Sequence, residues 1–141
     1  MKLPGVLVLL LAVGSGCGSS SAPEAFENRS EFPDCGKASY TNARTELVPD
    51  GPVDCLKRAH SAGEEAELRV RVQGTEGDDL RWWVRSLGTG EVEVFVDQSD
   101  DPLRGGPAWA RFLCPELRFG DSGLPLFGTD TCDHISLDPE S

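Results

Sequence analysis

The amino-acid sequence predicts an α+β fold: a small antiparallel β-meander of about four strands, with one short helix packed on one face and two disulfides. Three observations lead to this prediction. Apolar residues follow the helical period over residues 52–62, they alternate with polar residues over 68–97, and four cysteines follow Cys17. A chain of 141 residues has room for one domain with one modest core.

The N-terminus has the organisation of a secretory signal. A basic second residue and an apolar run over residues 6–13 precede the small residues 14–16 and Cys17. The run is shorter than the roughly 20 residues that a membrane-spanning helix needs. A cysteine directly after small residues resembles the lipobox of bacterial lipoproteins, which implies cleavage before Cys17 and lipid on its sulfur. We expect a signal peptide over residues 1–16 and a domain anchored outside the cell membrane; the alternative is cleavage near Ala22 and a soluble secreted protein.

Residues 17–33 have few apolar side chains and no regular period. We therefore expect a flexible tether that lifts residues 34–141, a single disulfide-stapled domain, off the membrane.

One short helix is predicted over residues 52–62. Pro52 suits the first turn of a helix, and Gly63 suits the left-handed position that ends one. One face is apolar because four residues stand at helical spacing: Cys55, Leu56, Ala59 and Ala62.

Strands are predicted over residues 68–72, 80–87, 91–97 and 109–114, with a three-residue hairpin loop at 88–90. The register that this loop imposes gives one aliphatic face and one face with an aromatic pair between two ion pairs. The cross-strand pairs on the aliphatic face are Val84 with Val94 and Trp82 with Val96. The pairs on the opposite face are Arg81 with Asp97, Trp83 with Phe95 and Arg85 with Glu93. The facing of the fourth strand stays open, because either Ala110, Phe112 and Cys114 or Trp109, Arg111 and Leu113 suit the helix side.

The cysteines favour an oxidising compartment. Without Cys17 an even number remains for disulfides, and none stands at the C-x-x-C spacing typical of zinc sites, so we expect no metal and no cofactor. Three pairings are possible. We expect Cys35 to join Cys55, and Cys114 to join Cys132, holding the two terminal segments to the helix and to the fourth strand.

The composition is acidic, with a formal net charge of −11. Such a surface argues against nucleic acid and against anionic lipid head groups as partners. Acidic residues cluster at 76–79, 97–101 and 130–133, but the spacing does not match a calcium-binding loop, so we interpret them as solvated turns.

Several short motifs together resemble uncharacterised small lipoproteins of high-GC Gram-positive bacteria, a group with a domain of unknown function. The motifs are the lipobox-like start, Cys35-Gly36, Cys55-Leu56, Thr75-Glu76-Gly77-Asp78 before Trp82-Trp83, residues 92–97, and Trp109 with Cys114. The resemblance covers roughly residues 35–114. It implies an extracytoplasmic location and this fold, and it brings no catalytic residues.

Residues 120–124, Gly-Asp-Ser-Gly-Leu, match the nucleophile segment of trypsin-like serine proteases. A hydrolase built on Ser122 needs a histidine base, for which His60 and His134 are available. The chain is short for the protease scaffold, and a Gly/Asp/Ser turn explains the segment. We expect no enzyme, and we keep a small secreted hydrolase and a purely structural envelope component as alternatives.

The candidate binding patch is Arg81, Trp83, Arg85 and Phe95, on the sheet face away from the helix. Aromatic side chains with guanidinium neighbours favour a protein partner or a carbohydrate ring. The alternative is that the tether or the C-terminal segment 117–127 covers this face. We predict a non-catalytic domain that binds another envelope protein, an extracellular protein or a glycan.

Overall fold

The computed structural model describes residues 21–41, 50–74, 77–121 and 123–137. The strands in these ranges are β1 Asp34–Thr41, β2 Glu65–Gln73, β3 Asp79–Leu87, β4 Val92–Asp97, β5 Trp109–Cys114 and β6 Asp133–Ile135. The helices in them are α1 Glu24–Glu27 and α2 Asp50–Ser61. The α+β class is confirmed, and the sheet has more strands than the sequence indicated.

The six strands form one mixed sheet in sequence order. Strands β2 to β6 make an antiparallel meander, and β1 lies at its edge, parallel to β2. This parallel pair corrects the expectation of a purely antiparallel sheet. Neighbouring parallel strands need a crossover connection, and α2 lies in the connection between β1 and β2.

The predicted β3–β4 register is confirmed in full. Val84 pairs with Val94, and Trp83 pairs with Phe95. The facing of β5 is also settled, because Ala110 and Cys114 are buried on the side of α2 while Trp109, Arg111 and Leu113 lie on the other.

The core lies between α2 and the sheet. Leu56 of α2 and Leu68 of β2 are fully buried, and Val94 of β4 is 1% exposed. Beyond the helix, the C-terminal segment 117–127 covers the remaining apolar surface of this face: the ring of Phe127 lies 4.8 Å from Trp82 and 5.5 Å from Phe112 between centroids. The expected aliphatic face under the helix is therefore present. The C-terminal segment covers part of this same face, so it does not cover the opposite one.

Both expected disulfides are formed. Cys35 joins Cys55, which links β1 to α2, and Cys114 joins Cys132, which links β5 to the residue before β6. The register of β1 shifts between Asp34 and Gly36, and Gly36 has φ +102°. This bulge lets the chain place Cys35 against the helix without disturbing the pairing beyond it. Two disulfides indicate an oxidising, extracytoplasmic environment.

Candidate functional site

The sheet face opposite α2 carries the predicted binding patch. Charged and aromatic side chains alternate along β3 and along β4 on this face, and the antiparallel register sets the aromatic ones opposite each other and the charged ones opposite each other. We call it the arginine face; its residues are Glu67, Arg69, Arg71, Arg81, Trp83, Arg85, Glu93, Phe95, Asp97, Trp109 and Arg111.

An N-terminal strap, residues 21–33, lies across the arginine face. Its helix α1 is only one turn long, and the ring of Phe26 lies 4.5 Å from Trp83, 4.8 Å from Trp109 and 5.4 Å from Phe95 between centroids. The two tryptophan rings are stacked at 5.6 Å. Phe95 is 1% exposed as a result, whereas Trp83 and Trp109 stay half-buried. We call these four rings the aromatic cluster.

A ladder of alternating charges runs beside the aromatic cluster. Arg29 of the strap forms an ion pair with Glu67 at 3.0 Å, and Arg85 forms one with Glu93 at 2.5 Å. Arg111 of β5 forms a further ion pair with the same Glu93. The Nε atom of Arg85 lies 3.0 Å from Glu67, close enough for an ion pair but without hydrogen-bond alignment. Opposite charges are thus continuous from the strap to β5.

Two further contacts fix the strap on this ladder. Arg85 donates a hydrogen bond to the carbonyl of Ser30, and its guanidinium lies 3.9 Å from the ring centroid of Phe32. The carbonyl of Pro33 accepts from the backbone N–H of Glu67 at 2.9 Å. Buried ion pairs add little net stability but are costly to leave half-made, so the ladder favours one docked position of the strap.

The predicted patch is therefore not one open surface. Arg85 is 3% exposed and Phe95 is 1% exposed, while Trp83 is half-buried. The Arg81 side chain is 45% exposed and pairs with Asp97 at 3.0 Å and Asp100 at 3.2 Å. Of the two alternatives left open by the sequence, cover by the chain's own N-terminal segment holds for Arg85 and Phe95.

The strap is the described part of the segment that the sequence predicts to be a flexible tether. The few apolar residues of 17–33 and their missing period predict a flexible tether, with cover of the arginine face by this tether or by the C-terminal segment as the alternative. In the described part, from residue 21 onward, Phe26 and Phe32 each contact the arginine face. Two aromatic residues without periodicity give no helix or strand signal, which is why the sequence left this contact as an alternative and did not predict it outright.

The residues of the hydrolase alternative are not brought together in the described ranges. Ser122 lies outside them, and the carbonyl of its neighbour Gly123 accepts a hydrogen bond of 2.9 Å from the hydroxyl of Tyr40 in β1. His134 belongs to β6, the opposite edge strand, where its ring packs against Phe112 at 5.5 Å. Five strand spacings of about 4.8 Å separate the two edges.

The other histidine contacts a buried hydroxyl. His60 Nδ1 lies 3.4 Å from Ser86 Oγ. The hydroxyl of Ser86 donates a hydrogen bond of 2.9 Å to the backbone carbonyl of Glu64. Ser86 is 1% exposed, so a substrate carbonyl has no access to it. This arrangement is that of a structural hydrogen bond at the end of α2.

The acidic clusters do not build a metal centre in the part of the chain that the structure describes, where no group of three or more His, Cys, Asp or Glu side chains converges. Asp78, Asp100 and Asp101 line an open groove of about 470 Å³ between the β2–β3 turn and the β4–β5 loop. The first of the three acidic clusters is only partly described, because residue 76 lies outside the described ranges.

Among the residues that the structure describes, Tyr40 and Arg71 have pKa values that depart from their ordinary range. Burial raises the pKa of Tyr40. The hydrogen bond that the Arg71 guanidinium donates to Asp79, reinforced by the negative charge of that carboxylate, raises the pKa of the exposed Arg71. Both shifts follow from packing and pairing: burial at Tyr40 and the contact with Asp79 at Arg71.

The sequence-based predictions about the membrane concern residues that lie mostly outside the described ranges. The expected signal peptide, residues 1–16, and Cys17 lie there. Within the described ranges, α1 and α2 are both too short and too polar to cross a bilayer.

Comparison with known proteins gives no relative to reason from: neither a family model, nor a curated protein, nor a solved structure matches the chain.

Proposed function

We propose that this chain is a non-catalytic extracytoplasmic lipoprotein, akin to the small lipoproteins that its motifs resemble, which binds a protein of the envelope or exterior, or a glycan. One observation carries the proposal. Trp83 and Trp109 stay partly exposed beside Arg81 even though the strap packs on them. Tryptophan and arginine are the residues that contribute most at binding interfaces.

The strap supports this proposal because its cover is incomplete. A four-residue helix packs on Phe95, which is 1% exposed, but leaves Trp83 and Trp109 partly exposed. Apolar surface that is removed from water on binding contributes favourable free energy, so a partner that completes the cover of these rings gains affinity from their apolar area.

The lipid anchor is tested by the intact mass of the protein from its native host. We expect a diacylglyceryl mass on a chain that begins at Cys17, together with the loss of four thiol hydrogens for the two disulfides. C17S is the matched variant, and it should leave the membrane fraction. A wild-type chain that carries no lipid contradicts the anchor.

Binding is tested by a photo-cross-linking amino acid in living cells of the native host. Placed at Arg81, beside the aromatic cluster, it should give a discrete adduct with a protein or a wall polymer. Placed at Thr89, the exposed tip of the β3–β4 hairpin, it serves as the control. Identical adducts from both positions contradict a site on the arginine face.

The hydrolase alternative makes the opposite prediction. Because His60 contacts a buried serine and His134 lies in the far edge strand, we expect a serine-directed fluorophosphonate not to label the folded protein. Labelling that disappears in S122A supports a hydrolase and counts against a purely binding role.

A further inference from the structure

The strap enters the sheet at one particular end of the domain. Its first described residues, Ser21 and Pro23, share a groove of about 490 Å³ with Pro107, Trp109 and Leu137. Pro107 and Trp109 flank the junction between the β4–β5 loop and β5, and Leu137 follows β6. The chain therefore reaches the folded body beside the β4–β5 loop.

The same end of the sheet carries the β2–β3 turn. Gly77 and Asp78 of that turn line a groove with Asp101 and Leu103 of the β4–β5 loop. We call this the near end. The far end holds the β3–β4 hairpin loop at residues 88–90 and the turn after α2, where the carbonyl of Glu64 accepts from Ser86.

Chain length limits how far the near end can stand from Cys17. Ser21 follows Cys17 by four positions, and four steps of about 3.5 Å each span about 14 Å in a fully extended chain. β2 alone has nine residues, a length of about 30 Å in a strand. An anchor at Cys17 thus reaches the near end and falls short of the far end.

We infer that the docked strap orients the domain on a lipid surface, with the β4–β5 loop and the β2–β3 turn toward the bilayer and the β3–β4 hairpin away from it. The inference rests on the proposed lipid anchor at Cys17. The link is covalent rather than attractive, because Asp78, Asp100 and Asp101 give the near end an acidic surface that anionic lipid repels.

This orientation narrows the class of partner. Arg81 lies near the β4–β5 loop, since it pairs with Asp97 at the end of β4 and with Asp100 in the loop. The exposed part of the aromatic cluster is therefore held close to the membrane. A partner that contacts it is a protein domain that is itself at the membrane surface, and a polymer far out in the wall does not reach it.

The test couples the chain beginning at Cys17 to a maleimide lipid in nanodiscs that also contain a gadolinium-chelating lipid. The other four cysteines are held in disulfides, so the thiol of Cys17 is the one that reacts. Amide signals of the ¹⁵N-labelled protein report proximity to the bilayer. We expect strong broadening at residues 77–78 and 98–108, and retained intensity at residues 63–64 and 88–90.

A second pair of variants shows whether the strap is the cause. F26A/R29A removes the aromatic and ionic contacts of the strap, which lengthens the free linker to residue 33, about 55 Å when extended. The contrast between the two ends should then fall at least twofold. E27A, an exposed change on the same helix, should keep it. Equal or reversed broadening in the wild type overturns the inference.

The two proposals fail separately in this design. Chemical coupling supplies the anchor, so a clear gradient stands even where the native protein carries no diacylglyceryl group. A native chain with lipid at Cys17 but no gradient in nanodiscs retains the lipoprotein proposal and removes the orientation.

Discussion

On the α2 side, the sheet buries aliphatic side chains such as Leu68 and Val94 beneath a twelve-residue helix that a disulfide joins to β1. On the other side, it buries charged and aromatic ones, Arg85, Glu93 and Phe95, beneath a strap with a four-residue helix. The two faces reach similar burial by different interactions. The first depends on apolar area and covalent bonds, and the second on directional contacts.

The difference matters when a cover is removed. Exposed aliphatic side chains have no favourable interaction with water, so loss of α2 unfolds the core. The charges of the arginine face regain hydration when the strap leaves, which offsets part of the lost ion pairing. We therefore expect the arginine face to be the side of the molecule whose cover can detach while the fold persists.

The largest expected effect is on the aliphatic face. L56A removes a side chain with no exposed surface and leaves a cavity under α2, so the free energy of unfolding should fall by about 4 kcal/mol. Urea denaturation with both disulfides intact measures it. S61A, an exposed position on the same helix, is the control and should change the value by less than about 0.5 kcal/mol.

A buried charge gives the next effect. E93Q removes the carboxylate that holds Arg85 and Arg111, while Glu67 and Ser30 still contact Arg85. We expect a loss of about 2–3 kcal/mol in the free energy of unfolding, below that of a fully unpaired buried charge. If E93Q leaves the free energy of unfolding almost unchanged, water already reaches the ion pairs of the arginine face. The two faces then differ more in their contribution to stability than their similar burial indicates.

Release of the strap should cost less than either change. Phe26 is half-buried, so F26A should lower the free energy of unfolding by about 1–2 kcal/mol. Tryptophan emission should shift to longer wavelength as Trp83 and Trp109 gain water, and a protease should cut the strap faster. E27A should show none of this. Unfolding of the whole domain by F26A contradicts a detachable cover.

The smallest effect comes from one hydrogen bond across the aliphatic face. Y40F removes the bond from the Tyr40 hydroxyl to the Gly123 carbonyl and should cost about 1 kcal/mol near neutral pH. Burial raises the pKa of Tyr40, so the folded chain keeps a proton that the unfolded chain releases near pH 10. Wild-type stability should therefore fall as pH rises above about 10, and the advantage over Y40F should shrink.

Local patterns explain which parts of the fold were predictable. The β3–β4 hairpin follows from a short loop and from alternation, which together leave one register with matched faces. Helix α2 follows from its apolar spacing and its ends. The disulfide pairings follow once those elements are placed, because each joins a terminal segment to the element nearest to it.

The missed elements depend on distant contacts. β1 carries a period-two signal, with Gly36, Ala38 and Tyr40 between polar residues, yet its partner β2 lies beyond a helix in the chain. β6 has three residues and forms only because β5 offers an edge. A one-turn helix such as α1 is unstable alone, since nucleation is costly, and it exists here through Phe26.

The sequence by itself determined the class of the fold, the central hairpin and the acidic character of the surface, and it favoured, among three possible pairings, the disulfides that form. These depend on neighbouring residues in the chain or on simple counts. The tertiary structure alone decided that Arg85 and Phe95 are covered, that the strap rather than the C-terminal segment covers them, and that the strap begins beside the β4–β5 loop. Those outcomes depend on which segment gains most by packing on a given face, and that competition between distant segments is not written in any local pattern.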